Sequence, residues 1–101
     1  MLQYTTEAQS KKLKELGMVI NVEKTEVTIA YARKWLLQKY DVYYELKPSD
    51  SYWVYSIYHI HKLAKTSVKL TDSRSQFDEY DLAEERGLNH LLTIVKPPHS
   101  A

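Results

Sequence analysis

His59 and His61 lie two residues apart in a stretch that reads as a β-strand, a spacing that turns both imidazoles to one side, where they could share a metal ion. No third ligand stands at a matching position. The ordinary reading is a pair of half-exposed strand histidines, and no metal is expected. Asp78 with Asp81, and Glu84 with Glu85, are paired carboxylates that could do acid–base work. At the head of a helix they read instead as a solvated face placed to suit the helix dipole. His90, beside an apolar helical stripe, receives no role. The chain has no Cys, which excludes disulfides, thiolate metal sites and a Cys nucleophile. Its only glycines, Gly17 and Gly87, are too far apart to form a phosphate-cradling loop. Serine, threonine, histidine and acids are all present, but composition alone does not assemble a catalytic triad. The expectation is a protein that is not an enzyme and takes no cofactor.

What does stand out is 9 Tyr in 101 residues. Tyrosine joins an apolar ring to a polar tip, which suits it to interfaces. Whether those rings meet depends on the elements that carry them. The chain divides at Gly17, Pro48, Gly87 and the Pro97-Pro98 pair. Residues 6–16 read as a peripheral helix, opened by a Thr6/Gln9 capping box and stopped by Gly17, with Met18 folding back on Leu13. After a link containing Val19, Ile20 and Val22, a second helix is expected from Thr25 or Glu26 to Tyr40, burying Ile29, Ala32, Leu36 and Tyr40.

From Asp41 the pattern alternates: Val42, Tyr44 and Leu46 face one way, and Tyr43, Glu45 and Lys47 the other. Pro48-Ser49-Asp50-Ser51 reads as a turn into a second strand, Tyr52 to about His61. That strand sets Trp53, Tyr55, Ile57 and His59 against Tyr52, Val54, Ser56, Tyr58 and Ile60. A turn around Leu63-Ala64-Lys65 leads to a third strand, Ser67 to Thr71, with Val68 and Leu70 inward and Lys69 outward. A last helix of about 18 residues runs to Lys96, its acids in the first half and its stripe formed by Ala83, Gly87, Leu91, Ile94 and Val95. An interior helical glycine costs about 1 kcal/mol against alanine, so Gly87 points to close backbone approach.

These elements predict an α+β fold: a three-stranded antiparallel sheet flanked by helices, an αβββα core with an extra N-terminal helix. One domain spans 1–101, with the peripheral helix at 6–16, the core at 25–96 and a tail at 97–101. Composition agrees, with 44% hydrophobic and 27% charged residues. With 14 Lys plus Arg against 13 Asp plus Glu, the net charge of +1 provides little long-range pull on a polyanion. The first residues lack the basic start and apolar run of a secretory signal, and no stretch reaches a membrane span, so the expected compartment is the cytoplasm.

Antiparallel sheets are commonly packed on one face. With both long helices on the Val42/Tyr44/Tyr55/Ile57 face, the other shows Tyr43, Tyr52, Val54, Tyr58 and Ile60, with Lys69 at its edge. A face that apolar is either covered by the N-terminal helix or binds something. The candidate partner site is therefore Tyr43, Tyr52, Val54, Tyr58, Ile60 and Lys69. A protein partner or self-association, including a homodimer, is the first expectation. Nucleic acid is the alternative, because Lys47, Lys62, Lys65 and Lys69 interleave with the aromatics; a structural or inhibitory protein that sequesters a host factor is a further one.

The run Phe77-Asp78-Glu79-Tyr80-Asp81-Leu82-Ala83-Glu84-Glu85-Arg86-Gly87-Leu88-Asn89-His90-Leu91-Leu92 resembles the ending of small uncharacterised proteins of phages and mobile elements of Bacteroides-type gut bacteria. Ala32-Arg33-Lys34-Trp35-Leu36-Leu37-Gln38-Lys39-Tyr40, with Trp53-Val54-Tyr55-Ser56-Ile57-Tyr58, is similar to the Trp-containing helix and aromatic strand of that group. Residues 6–17 resemble its opening. The resemblance implies an αβββα fold and a mobile genomic setting, and carries over no catalytic residue. The element order is also that of the double-stranded-RNA-binding domain. Where that family puts lysines at the start of its last helix, this chain has Asp78, Glu79 and Asp81, so that activity is not inherited.

Overall fold

The computed structural model describes residues 3–19 and 27–95. Its elements follow the expected order: α1 (Glu7–Glu15), α2 (Ile29–Tyr40), β1 (Val42–Ser49), β2 (Tyr52–His61), β3 (Thr66–Asp72) and α3 (Tyr80–Ile94). The strands form one antiparallel sheet in the order β1-β2-β3. The fold is α+β, as the periodicities predict.

Both ends of α1 form as the sequence dictates. Thr6 Oγ1 accepts from Gln9 N at 3.1 Å, and Gln9 Oε1 accepts from Thr6 N at 2.9 Å. At the other end Met18 N donates to Leu13 O and Gly17 N to Lys14 O, both at 3.0 Å, with Gly17 at φ 110°. This helix is less peripheral than expected. Leu13 and Leu16 are fully buried, and Gln9 reaches α3, donating to Glu85 O and to Asn89 Oδ1 at 2.7 Å.

The second helix begins later than predicted, at Ile29, where the Thr28 hydroxyl accepts from Tyr31 N. Thr25 and Glu26, where its start was expected, fall outside the described residues. Its buried positions Ile29, Ala32 and Leu36 keep the predicted spacing. Asp41 at φ 59° then turns the chain into β1. The hairpin is tighter than the sequence suggested: Pro48 and Ser49 belong to β1 opposite Trp53 and Tyr52, leaving Asp50 and Ser51 as the turn. Proline is tolerated there because β1 is an edge strand.

Val42, Tyr44, Tyr55 and Ile57 join Leu36, Leu88 and Leu91 in one core. α2 and α3 pack on the face of β1 and β2 that these residues share, while α1 packs against α3. Gly87 has the role its placement suggested: a Cβ built there would lie 2.8 Å from both Cδ2 and Cε2 of the Tyr44 ring.

Two expectations are corrected. Val68 and Leu70 are 50% and 47% exposed rather than inward. Ile57 pairs with Thr71 and Tyr58 with Lys69, so Leu70 is the extra residue of a β-bulge, and β3 lies beyond the sheet area on which α2 and α3 rest. Glu84 is not part of a solvated face. It is 8% exposed and turned toward α2, where Arg33 Nη1 lies 3.4 Å from its Oε1. The last helix spans 15 residues instead of about 18; Lys96 and the Pro97-Pro98 stop, like the 97–101 tail, lie outside the described residues. No described helix is long and apolar enough to cross a membrane.

Candidate functional site

On the sheet face turned away from α2 and α3, alternation along β2 places Tyr52, Val54, Ser56, Tyr58 and Ile60, and pairing brings Tyr43 opposite Tyr58 and Lys69 opposite Tyr58 from the other side. Tyr43, Tyr58 and Lys69 thus form a row across all three strands. The Tyr43 and Tyr58 rings stack at 5.1 Å between centroids and 17° between planes. Ile60 adjoins this row, and Val54 pairs with Lys47. Tyr52 stands apart, six strand positions or about 20 Å from Tyr58. The structure therefore gathers Tyr43, Tyr58, Ile60 and Lys69 toward one end of the face and leaves Val54 and Tyr52, the latter 41% exposed, nearer the other.

Covering of this face by the N-terminal helix does not occur, because α1 docks on α3 through Gln9 and Asn89. Tyr43, Val54, Tyr58 and Ile60 are half-buried and Lys69 is exposed. The surface is organised by polar contacts. Tyr43 Oη donates to Ser67 Oγ at 2.7 Å, and Lys47 Nζ donates to Tyr58 Oη at 3.1 Å. Ser56 Oγ donates to Asp72 Oδ1 at 2.6 Å, while Lys69 Nζ lies 3.2 Å from Asp72 Oδ2. These bonds hold the Asp72 carboxyl below its ordinary value, the Ser56 bond first and Lys69 second. The Tyr58 hydroxyl raises the Lys47 ammonium. With Glu45 and Asp72 beside Lys47 and Lys69, the face carries both signs of charge.

The lysines that could grip phosphates are partly committed elsewhere: Lys69 to Asp72, and Lys62 to Asp41 at 3.2 Å. His59 and His61 are exposed, and His61 Nδ1 accepts from Ala64 N in the β2–β3 turn. Among the described residues no group of three or more His, Cys, Asp or Glu could hold a metal ion.

Sequence reasoning passed over the arginines. Arg33 of α2 meets Tyr44 of β1 and Glu84 of α3: its Nη2 donates to Tyr44 O at 2.5 Å, and its guanidinium carbon sits 4.2 Å from the Tyr44 ring centroid. The Tyr44 hydroxyl donates to Glu84 O, and burial pushes that phenol far up. This cluster clamps α2, α3 and β1 together. The other two arginines, Arg74 and Arg86, border a cleft on the helix side of the sheet. No spacing or motif in the sequence links the three arginines. No family model, curated protein or solved structure matches the chain.

Proposed function

We propose that this protein is a non-enzymatic interaction module whose open sheet face docks a folded protein surface, the first such surface being a second copy of this chain. The stacked Tyr43–Tyr58 pair carries this reading. It offers a flat aromatic platform among charges of both signs, and a two-fold contact could set Lys47 of one copy against Glu45 of the other. A polyanion would meet the Glu45 and Asp72 carboxylates, which disfavours nucleic acid on this face. The resemblance of residues 77–92 and 32–40 to phage and mobile-element proteins supports a setting in which small modules act by binding, in the cytoplasm of a bacterial host.

Light scattering across protein concentration, at low and high salt, tests this. The expected result is a dimer that persists at high salt and that Tyr58→Ser and Tyr43→Ser dissociate, because a tyrosine-centred contact depends on buried ring area rather than on counterion release. A strict monomer that binds a mixed nucleic-acid pool, with affinity falling steeply as salt rises and abolished by Lys69→Glu, would replace this reading with the nucleic-acid one.

A further inference from the structure

The cleft bordered by Arg74 and Arg86 lies on the opposite side of the sheet, between the C-terminal half of α3 and the chain that follows β3, with a volume of about 690 Å³. That is the size of a small-molecule site. Two of the chain's three arginines, Arg74 and Arg86, line it together with His90. No Asp or Glu lines it, and among the described residues neither arginine has an ion-pair partner. In a chain whose acids and bases nearly balance, a concavity where two arginines converge without acids is chemically distinct.

The position of Arg74 is fixed by the backbone on both sides. Ser73 N donates to Tyr55 O at 2.7 Å, and Tyr55 N donates to Ser73 Oγ at 3.2 Å. Three residues on, Trp53 and Phe77 exchange both backbone bonds, at 2.8 and 2.9 Å. Residues 74–76 therefore form a short loop pinned at each end to β2. Tyr55 and Phe77 stack beneath it at 6.1 Å and 16°. Tyr55 also holds His90, its hydroxyl 2.8 Å from Nδ1 and its ring edge-on to the imidazole. When Tyr55 donates that bond, the imidazole proton sits on Nε2, a third donor group beside the two arginines. Arg86 is close enough to Tyr55 that its charge offsets part of the rise burial gives the phenol.

We propose that this cleft binds a small phosphomonoester, with Arg74 and Arg86 clamping the phosphate, His90 as a third donor, and the Tyr55–Phe77 rings against the organic body. Two guanidinium forks and an imidazole supply more donors than the two oxygens of a carboxylate can use, whereas a phosphomonoester offers three terminal oxygens and close to two negative charges. The volume exceeds what a bare phosphate fills, and the rings give an organic moiety an apolar surface. The negative end of the α3 dipole lies past Thr93 and would repel an anion there, so the phosphate belongs at the Arg86 end.

The test is an NMR titration of the whole chain with adenosine 5′-monophosphate, ribose 5-phosphate, inorganic phosphate and unphosphorylated adenosine. Saturable shifts at Arg74, Ser75, Arg86 and His90 are expected with the two phosphomonoesters and none with adenosine. Loss of a charge-assisted bond in Arg86→Gln or Arg74→Gln should weaken binding about tenfold or more. Both side chains are exposed, so spectra elsewhere should not change, and Lys11→Gln on α1 should bind as the parent does. Inorganic phosphate binding as tightly as the esters, shifts that track ionic strength without saturating, or affinity untouched by Arg86→Gln would each overturn the proposal. So would an oligonucleotide that occupies the cleft more tightly than any mononucleotide.

Discussion

Replacing Gly87 by alanine tests the close approach of α3 to the Tyr44 ring. The added Cβ would lie 2.8 Å from two Tyr44 ring atoms and 3.3 Å from a third, where an ordinary contact needs at least 3.4 Å. The ring has little room to yield. Tyr44 is 0% exposed, its hydroxyl is bonded to Glu84 O at 3.0 Å on the same helix, and Arg33 lies over its face. Overpacking of this kind costs about 1–3 kcal/mol, and alanine returns about 1 kcal/mol of helix propensity. With the ring pinned, the balance is a loss of about 1–2 kcal/mol. For a domain of this size the melting temperature should then fall by roughly 5–10 °C. Urea unfolding should show a lower midpoint at unchanged slope, the mark of a stability change without a change in the surface exposed. In a Tyr44→Leu background the clash is gone, and Gly87→Ala should become neutral or stabilising, so the double-mutant cycle should show strong coupling. A Gly87→Ala protein as stable as the parent, or a cycle without coupling, would refute the reasoning.

Two further outcomes follow from the polar clusters. Arg33→Met leaves the Glu84 carboxylate in a site where its Oε2 already has no partner among the described residues, and should cost about 2 kcal/mol. This is less than for a fully buried pair, because the Arg33 side chain is 29% exposed. The double replacement Arg33→Met/Glu84→Met should recover most of the loss in chemical denaturation; a single variant as stable as the parent would show the pair to be dispensable. Asp72 should titrate below the ordinary carboxylate range by carbon NMR, and Ser56→Ala should raise its midpoint more than Lys69→Met does. Its folded value lies below its unfolded one, so its contribution to stability is present above the ordinary carboxylate value and is lost as pH falls through the depressed one. A midpoint insensitive to Ser56→Ala would show that the serine bond does not govern it.

The sequence by itself determined much of what depends on near neighbours along the chain. The Thr6/Gln9 box and the Gly17 stop are set within a few residues, so their geometry was legible before any packing was known. Strict alternation over 42–47 and 52–61 sorted the two faces of the sheet, and with them the Tyr43–Tyr58 row, because side chains on a strand repeat every two residues whatever lies above them. Gly87 was readable as a close approach, though not as an approach to Tyr44.

Only the tertiary structure decided which partners met across long separations. Val68 and Leu70 alternate as a buried strand would, yet the bulge at Leu70 and the reach of α2 and α3 leave them exposed, and no local period encodes where a helix stops covering a sheet. Glu84 reads as one of several acids on a solvated helix until the fold brings Arg33 from fifty-one positions away. Arg74 and Arg86 lie on a loop and a helix with no shared pattern, and the cleft between them exists because the chain returns after β3 to bond at Trp53. Local physics chose the elements and their faces; burial and charge, satisfied only between elements, chose the sites.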